Sequence, residues 1–219
     1  PDQPPSLDAL RDLAIRLDNR HSGDVVTEFG TWGPWINGGG WLQIEGQPVD
    51  WLYRDTAKVE QIINECRAGN PQVFYQVGHP HGFWTPIYMG EVYLCQPLAD
   101  PTGALARLKA LTVPYPPALK KAMVERNLWE ADFALETSRK SAKRGDVLHV
   151  SGGLFRCAAC LVQVVFALNE RYCINEKGAL KLASTFPICP PHFAATITDV
   201  LGNIGDNRET LNMSIARLA

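Results

Sequence analysis

The 219-residue sequence contains no long apolar stretch free of polar side chains. A helix that spans a bilayer needs about 18 or more consecutive apolar residues, and the longest run here, 154–168, is interrupted by Arg156 and Gln163. Residues 1–5 contain no basic segment followed by an apolar one, which a secretory signal requires. We therefore expect no membrane segment and a cytoplasmic protein.

The chain also has few cysteines and no excess of basic residues. Six cysteines in 219 residues are too few for a disulfide scaffold. The only close pair, Cys157 and Cys160, lies in a run, 147–172, that is apolar nearly all round and predicts a buried helix. No second pair and no histidine stands at zinc-site spacing, so both are expected in the core. The net charge of −2 and the lack of a basic patch argue against nucleic acid.

Residue periodicity changes at the proline-rich stretch 113–117. Before it, helix signals with caps at Ser6, at Asp55 or Thr56, and at Asp100 alternate with strand-like runs. These runs predict strands at 25–29, 41–44, 49–53, 73–77 and 87–94. After it the pattern is helical only, with a capping box at Asn127. The sequence thus predicts an α+β fold, with a mixed domain over 1–114 and a helical bundle over 115–219.

A hairpin carries the most informative residues. Glycines 38–40 precede two apolar strands, and Gly46-Gln47 is expected to form the two-residue loop between them. Asp50 interrupts the second strand, whose other residues are mostly apolar. Because a buried carboxylate is costly unless it is paired, hydrogen-bonded or bound to a cation, Asp50 is predicted to pair with Arg54 or the backbone, or to bind a metal.

The segment 32–55, which contains Trp-Gly-Pro-Trp-Ile-Asn-Gly-Gly and Val-Asp-Trp-Leu-Tyr-Arg-Asp, resembles the nucleotidyltransferase superfamily. This group includes DNA polymerase β-like enzymes and aminoglycoside and lincosamide adenylyltransferases, and residues 78–83 and 175–180 resemble it more loosely. The resemblance implies a mixed sheet with flanking helices followed by a helical bundle. It also implies Mg²⁺ and ATP, transfer of AMP to a hydroxyl of a small molecule or protein, and Asp50 as the third metal-binding carboxylate.

The sequence departs from that family in one respect. No Gly-Ser turn and no Asp-x-Asp pair occurs in the 219 residues. We expect that an N-terminal part of the domain is missing and that the chain as given does not catalyse. The alternative is a degenerate, non-catalytic module for binding or oligomerisation, and a homodimer stays open. A weaker alternative is RNA processing through Arg139, Arg144 and His149.

The candidate site residues form two sets. Asp50 is the predicted catalytic and metal-binding residue, and the nucleotide side is expected at Gly38, Gly39, Trp41 and Arg54. The possible acceptor-side residues are Glu91, His79, His81, Glu176 and Lys177. Most have a structural alternative: glycines serve strained turns, tryptophans pack in cores, and Glu176 and Lys177 suit a helix cap. The two histidines suit either a structural turn or a metal or phosphate role, and Glu91 is a possible substrate base. Asp55 is favoured as a helix cap over a ligand.

Overall fold

A computed structural model describes residues 5–219, and the mixed α+β composition is confirmed over this range. It contains nine α-helices, one short 3₁₀ helix and two antiparallel sheets of two strands each. The strands are β1 Gly39–Ile44, β2 Gln47–Leu52, β3 Val73–Phe74 and β4 Phe83–Trp84. The helices are α1 Leu7–Leu17, α2 Thr56–Arg67, α3 Pro86–Leu94, α4 Ala104–Leu111, α5 Pro117–Ala142, α6 Val147–Leu168, α7 Ala179–Ala183, α8 Phe193–Gly202 and α9 Arg208–Leu218. The nucleotidyltransferase-type sheet stays a prediction. The predicted absence of a secretory signal also stays a prediction, because it concerns residues 1–5, of which 1–4 lie outside the described range.

The chain forms two compact units. The smaller one, called here the hairpin unit, comprises the described residues through Gln61 and the segment Asp100–Ala104. The larger one, the helical unit, comprises Ile62–Ala99 and Leu105–Ala219. The predicted division into domains 1–114 and 115–219 stays a prediction.

The predicted hairpin is confirmed, with its turn one residue earlier than expected. Ile44 pairs with Gln47, so the loop residues are Glu45 and Gly46 rather than Gly46 and Gln47. Both have positive φ, 51° and 76°, which is the conformation of a type I′ turn. The inward face of the hairpin packs on α1 through a small core of Ala14, Val26 and Leu42.

Both predicted N-terminal helices are confirmed. The Ser6 hydroxyl accepts a hydrogen bond from the Ala9 amide and caps α1. The Asp55 carboxylate accepts one from the Lys58 amide, 3.1 Å away, so Asp55 caps α2 as predicted. Gly69, with φ of 81°, follows the end of α2.

Three predicted strands and two helix starts need correction. Of the predicted strand 25–29, only Val26 pairs, in one bridge to Gly40, and Val25 is the last residue of a 3₁₀ helix, Gly23–Val25. Only Val73 and Phe74 pair within the predicted strand 73–77. The predicted strand 87–94 is helix α3, which is buried on nearly all sides and therefore shows no polar face with helical period. Helix α4 begins at Ala104, three residues after Pro101, and α5 begins ten residues before Asn127.

The helical unit is organised around α5 and α6. The predicted central helix is confirmed as α6, and eleven of its 22 residues are buried. It is also the one described helix that is long and apolar enough to cross a membrane, with 61% of its apolar window buried inside the protein. Core helices of soluble proteins pass the same test, so burial is sufficient to explain its composition.

Candidate functional site

Asp50 lies on the outward face of the hairpin. It is exposed, and its cross-strand partner is Trp41. No hydrogen bond or ion pair of its carboxylate occurs within residues 5–219. The premise that Asp50 is desolvated in an apolar strand is therefore wrong, because only alternate residues of β2 turn toward the core.

An aromatic surface lies beside this carboxylate. The Trp41 side chain is 60% exposed, and its ring stacks on that of Trp32 with centroids 4.4 Å apart and planes 21° apart. The stacking contact with Trp32 holds the Trp41 ring in place at the surface. The outward face of the hairpin therefore presents the exposed indole ring of Trp41 next to the exposed carboxylate of Asp50.

The other predicted nucleotide-side residues have structural roles in the hairpin unit. A Cβ at Gly39 would lie 1.8 Å from the Trp51 carbonyl oxygen, and one at Gly38, whose φ is 100°, 2.7 Å from the Glu28 carbonyl oxygen. The Arg54 guanidinium donates hydrogen bonds to the carbonyl oxygens of Ile36 and Tyr53, at 3.0 and 2.9 Å. These contacts explain the residue types without a ligand.

Three of the predicted acceptor-side residues meet in the helical unit. One Glu176 carboxylate oxygen accepts a hydrogen bond from the His81 amide at 2.7 Å, and the other lies 3.5 Å from His79 Nδ1. Glu176 therefore fixes the turn that carries both histidines, although 95 residues separate it from His81. Lys177 is exposed beside it. Glu91 does not lie on a strand: it is half-buried on α3.

The His81 side chain enters a buried cluster that residue spacing in the sequence does not predict. His81 is 4% exposed, and its Nε2 lies 3.4 Å from the Sγ of Cys160 on α6. Glu130 on α5 completes a group whose ligand-type atoms all lie within 4.8 Å of one another. Within residues 5–219 this is the only such group of three or more histidine, cysteine and acidic residues.

Two neighbours orient the cluster. The Trp84 indole Nε1–H donates a hydrogen bond to His81 Nδ1 at 3.3 Å. Because the indole nitrogen only donates, this bond places the proton of the neutral ring on Nε2, toward Cys160. The Arg156 guanidinium forms an ion pair with one carboxylate oxygen of Glu130.

Burial keeps both inner groups uncharged. Desolvation, followed by the charge of Arg156, lowers the pKa of His81 below its ordinary value. Desolvation also raises the pKa of the Cys160 thiol to about 12, and the nearby Glu130 carboxylate adds to this effect. The pair is therefore a neutral imidazole and a thiol at neutral pH, rather than the thiolate and imidazolium of a cysteine nucleophile.

A groove of about 560 Å³ at the surface borders the cluster at Glu130. It runs between α5 and α6, and its lining includes Glu130, Arg156, the aromatic side chains of Trp129 and Phe133, and Gly153. Glu130 belongs to both the groove and the cluster, with its side chain 13% exposed. The groove therefore connects solvent to the acidic side of the cluster.

One family resembles part of the chain. Residues 89–177 match a family described as a domain of unknown function, DUF4037. That segment includes Glu130, Arg156, Cys160 and Glu176 but neither histidine of the turn nor the hairpin. No curated protein and no solved structure matches the chain.

Proposed function

We propose that this chain contributes to a nucleotidyltransferase that moves a nucleoside monophosphate, AMP from ATP, onto a hydroxyl of a small molecule or protein. In that reaction the hydroxyl oxygen attacks the α-phosphorus, the bond to the departing pyrophosphate breaks, and the hydroxyl proton passes to a base. Asp50 is the residue we assign to the reaction, as that base or as a metal-binding carboxylate.

The observation that carries the proposal is the exposed pair of Asp50 and Trp41. A carboxylate that meets Mg²⁺ or a substrate hydroxyl needs access from solvent, and Asp50 has it. A purine base stacks on an exposed aromatic ring, and Trp41 presents one supported by Trp32. The resemblance over residues 32–55 covers the same hairpin.

The described residues do not complete a magnesium site. Mg²⁺ in nucleotide enzymes is bound by one or two carboxylates, substrate phosphates and water, and Asp50 belongs to no group of three acidic, histidine or cysteine side chains within residues 5–219. No Asp-x-Asp pair occurs in the sequence. The proposal therefore requires further carboxylates beyond those of the described residues.

The proposal predicts that nucleotide binding depends on Asp50. Titration calorimetry of the protein at its full natural length, with magnesium and an α,β-methylene analogue of ATP, should give saturable binding. Asp50→Asn should weaken it about tenfold or more, equivalent to about 1.4 kcal/mol, because the substitution removes the negative charge that binds the metal–phosphate group.

Asp55→Asn is the matched control. Asp55 is also exposed and lies five residues away, but its side chain caps α2, a role that asparagine fills equally well. Binding by this variant should equal that of the wild type. Absence of binding by the wild type, or equal binding by Asp50→Asn, would show that the hairpin is not a nucleotide site.

A non-catalytic interaction module is the second candidate. Trp129 and Phe133 on α5 are 66% and 54% exposed and stack with centroids 5.2 Å apart, and exposed aromatic side chains are enriched at protein interfaces. This candidate predicts no nucleotide binding and an association state, measured by analytical ultracentrifugation, that Trp129→Ser changes. The internal salt bridge it predicts for Asp50 is absent within residues 5–219.

A further inference from the structure

We propose that His81, Glu130 and Cys160 bind one divalent transition-metal ion of the zinc class. The three side chains come from different parts of the helical unit: the turn before β4, helix α5 and helix α6. Imidazole nitrogen, thiolate sulfur and carboxylate oxygen are the three donor types of protein zinc sites. This site is separate from the carboxylate assigned to nucleotidyl transfer, and it does not depend on that function.

The spacing of the donor atoms suits a tetrahedral ion. Bond lengths of about 2.0–2.3 Å place neighbouring ligand atoms about 3.5 Å apart. The distance from His81 Nε2 to Cys160 Sγ is already 3.4 Å. The largest separation in the group is within 4.8 Å, so closure around an ion requires a shift of about 1 Å by the outermost donor.

Neighbouring residues position two of the three ligands. Glu176 holds the turn of His81 through the backbone amide. Arg156 pairs with Oε1 of Glu130 and so fixes this carboxylate beside the cluster. An ion on His81 Nε2 moves the ring proton to Nδ1, which removes the hydrogen bond that Nδ1 accepts from Trp84. The Cys160 thiol loses its proton to solvent as the ion binds, so that the thiolate becomes the sulfur ligand.

The donor set selects the class of ion. A thiolate is a soft ligand that favours zinc and similar transition ions, whereas Mg²⁺ requires oxygen ligands in an octahedron. The site supplies only three protein ligands, and a tetrahedral ion retains a fourth position for water or another ligand. The groove along Glu130 and Arg156 brings solvent to the Glu130 side of the site.

The test is titration of the reduced full-length protein with Co²⁺, which reports a sulfur ligand by a thiolate-to-cobalt absorption band in the near ultraviolet. The wild type should bind one Co²⁺ per chain with this band, and Zn²⁺ should displace it whereas Mg²⁺ should not. Cys160→Ser should lose the band. His81→Asn and Glu130→Gln should each weaken binding at least about tenfold, the size typical of changes around a metal site.

Cys157→Ser is the matched control, because Cys157 is buried on the same helix, three residues away, and lies outside the cluster. It should keep the band. A measurement on the wild type makes the result independent of variant folding: the X-ray absorption spectrum of the Zn²⁺-loaded protein should show one sulfur at about 2.3 Å. No thiolate band, a band that survives Cys160→Ser, or a zinc shell without sulfur would overturn the proposal.

Discussion

Asp18 is the carboxylate that the hairpin unit buries. Its side chain is inaccessible to solvent and accepts hydrogen bonds from the Gln43 amide at 2.7 Å and the Arg20 amide at 2.9 Å. The Arg20 guanidinium adds two more contacts at 3.0 Å. The Arg20 side chain, followed by the Gln43 amide, lowers the pKa of Asp18 to about 2.

Stability of the hairpin unit should therefore depend on pH through Asp18. The folded-state pKa lies below the value of about 3.9 in unfolded chains, so the contribution is fully present above that value and is lost as the pH falls toward 2. Asp18→Asn should lower the midpoint of thermal unfolding by several degrees at pH 6. The difference from wild type should shrink between pH 4 and pH 2.

Asp12→Asn is the comparison for this experiment. Asp12 is exposed on α1, and its substitution should change the midpoint little at any pH. Thermal unfolding followed by tryptophan fluorescence measures both variants. A difference between Asp18→Asn and wild type that is zero, or that is constant from pH 6 to pH 2, would contradict the assigned role.

At the residue scale, the sequence favoured the wrong carboxylate for burial. Asp50 drew attention because its neighbours are apolar, but Val49 and Trp51 face the core and Asp50 faces solvent. The period-2 alternation was readable from the sequence. The partners of Asp18 were not, because Gln43 is 25 residues away in the chain and meets it only in the folded hairpin unit.

Helix α6 contains two adjacent glycines with different surroundings. A Cβ on Gly153 would lie 2.0 Å from the Oγ of Ser138, which is buried and donates to the Ala134 carbonyl oxygen. A Cβ on Gly152 would meet nothing within 4 Å. Close packing of α5 against α6 therefore depends on Gly153 and not on Gly152.

Alanine substitutions should separate the two glycines. Gly153→Ala should destabilise the protein by about 1–3 kcal/mol, because extra volume enters a packed contact. Gly152→Ala should stabilise it by up to about 1 kcal/mol, because alanine is the better helix former. Urea unfolding measures both, and equal effects would show that the α5–α6 contact is looser than described.

At the element scale, amphipathic segments were predictable and fully buried ones were not. Helices α1 and α2 carry clear caps and one apolar face, and both were located correctly. Residues 87–94 are rich in β-branched and aromatic residues, namely Ile87, Tyr88, Val92 and Tyr93, and this composition favours a strand. Burial of α3 on nearly all sides removes the polar face that would have indicated a helix.

At the scale of the whole molecule, the cluster in the helical unit arises from contacts between distant parts of the chain. Cys160 and His81 are 79 positions apart, so spacing rules for zinc sites, which apply to nearby residues, gave no sign of it. The available signals were weaker: two histidines in a glycine-flanked turn, and Arg156 within an apolar helix. The inward position of Cys160 was predicted, but its histidine neighbour was not.

The central functional claim is that the outward face of the hairpin binds nucleotide. The most direct test is a two-dimensional amide spectrum of ¹⁵N-labelled protein at its full natural length, titrated with magnesium and the α,β-methylene ATP analogue. The account predicts shifts of the Trp41 indole signal and of the amides in β1 and β2 around Asp50. Shifts confined to the helical unit, or no shifts at saturating nucleotide, would contradict it.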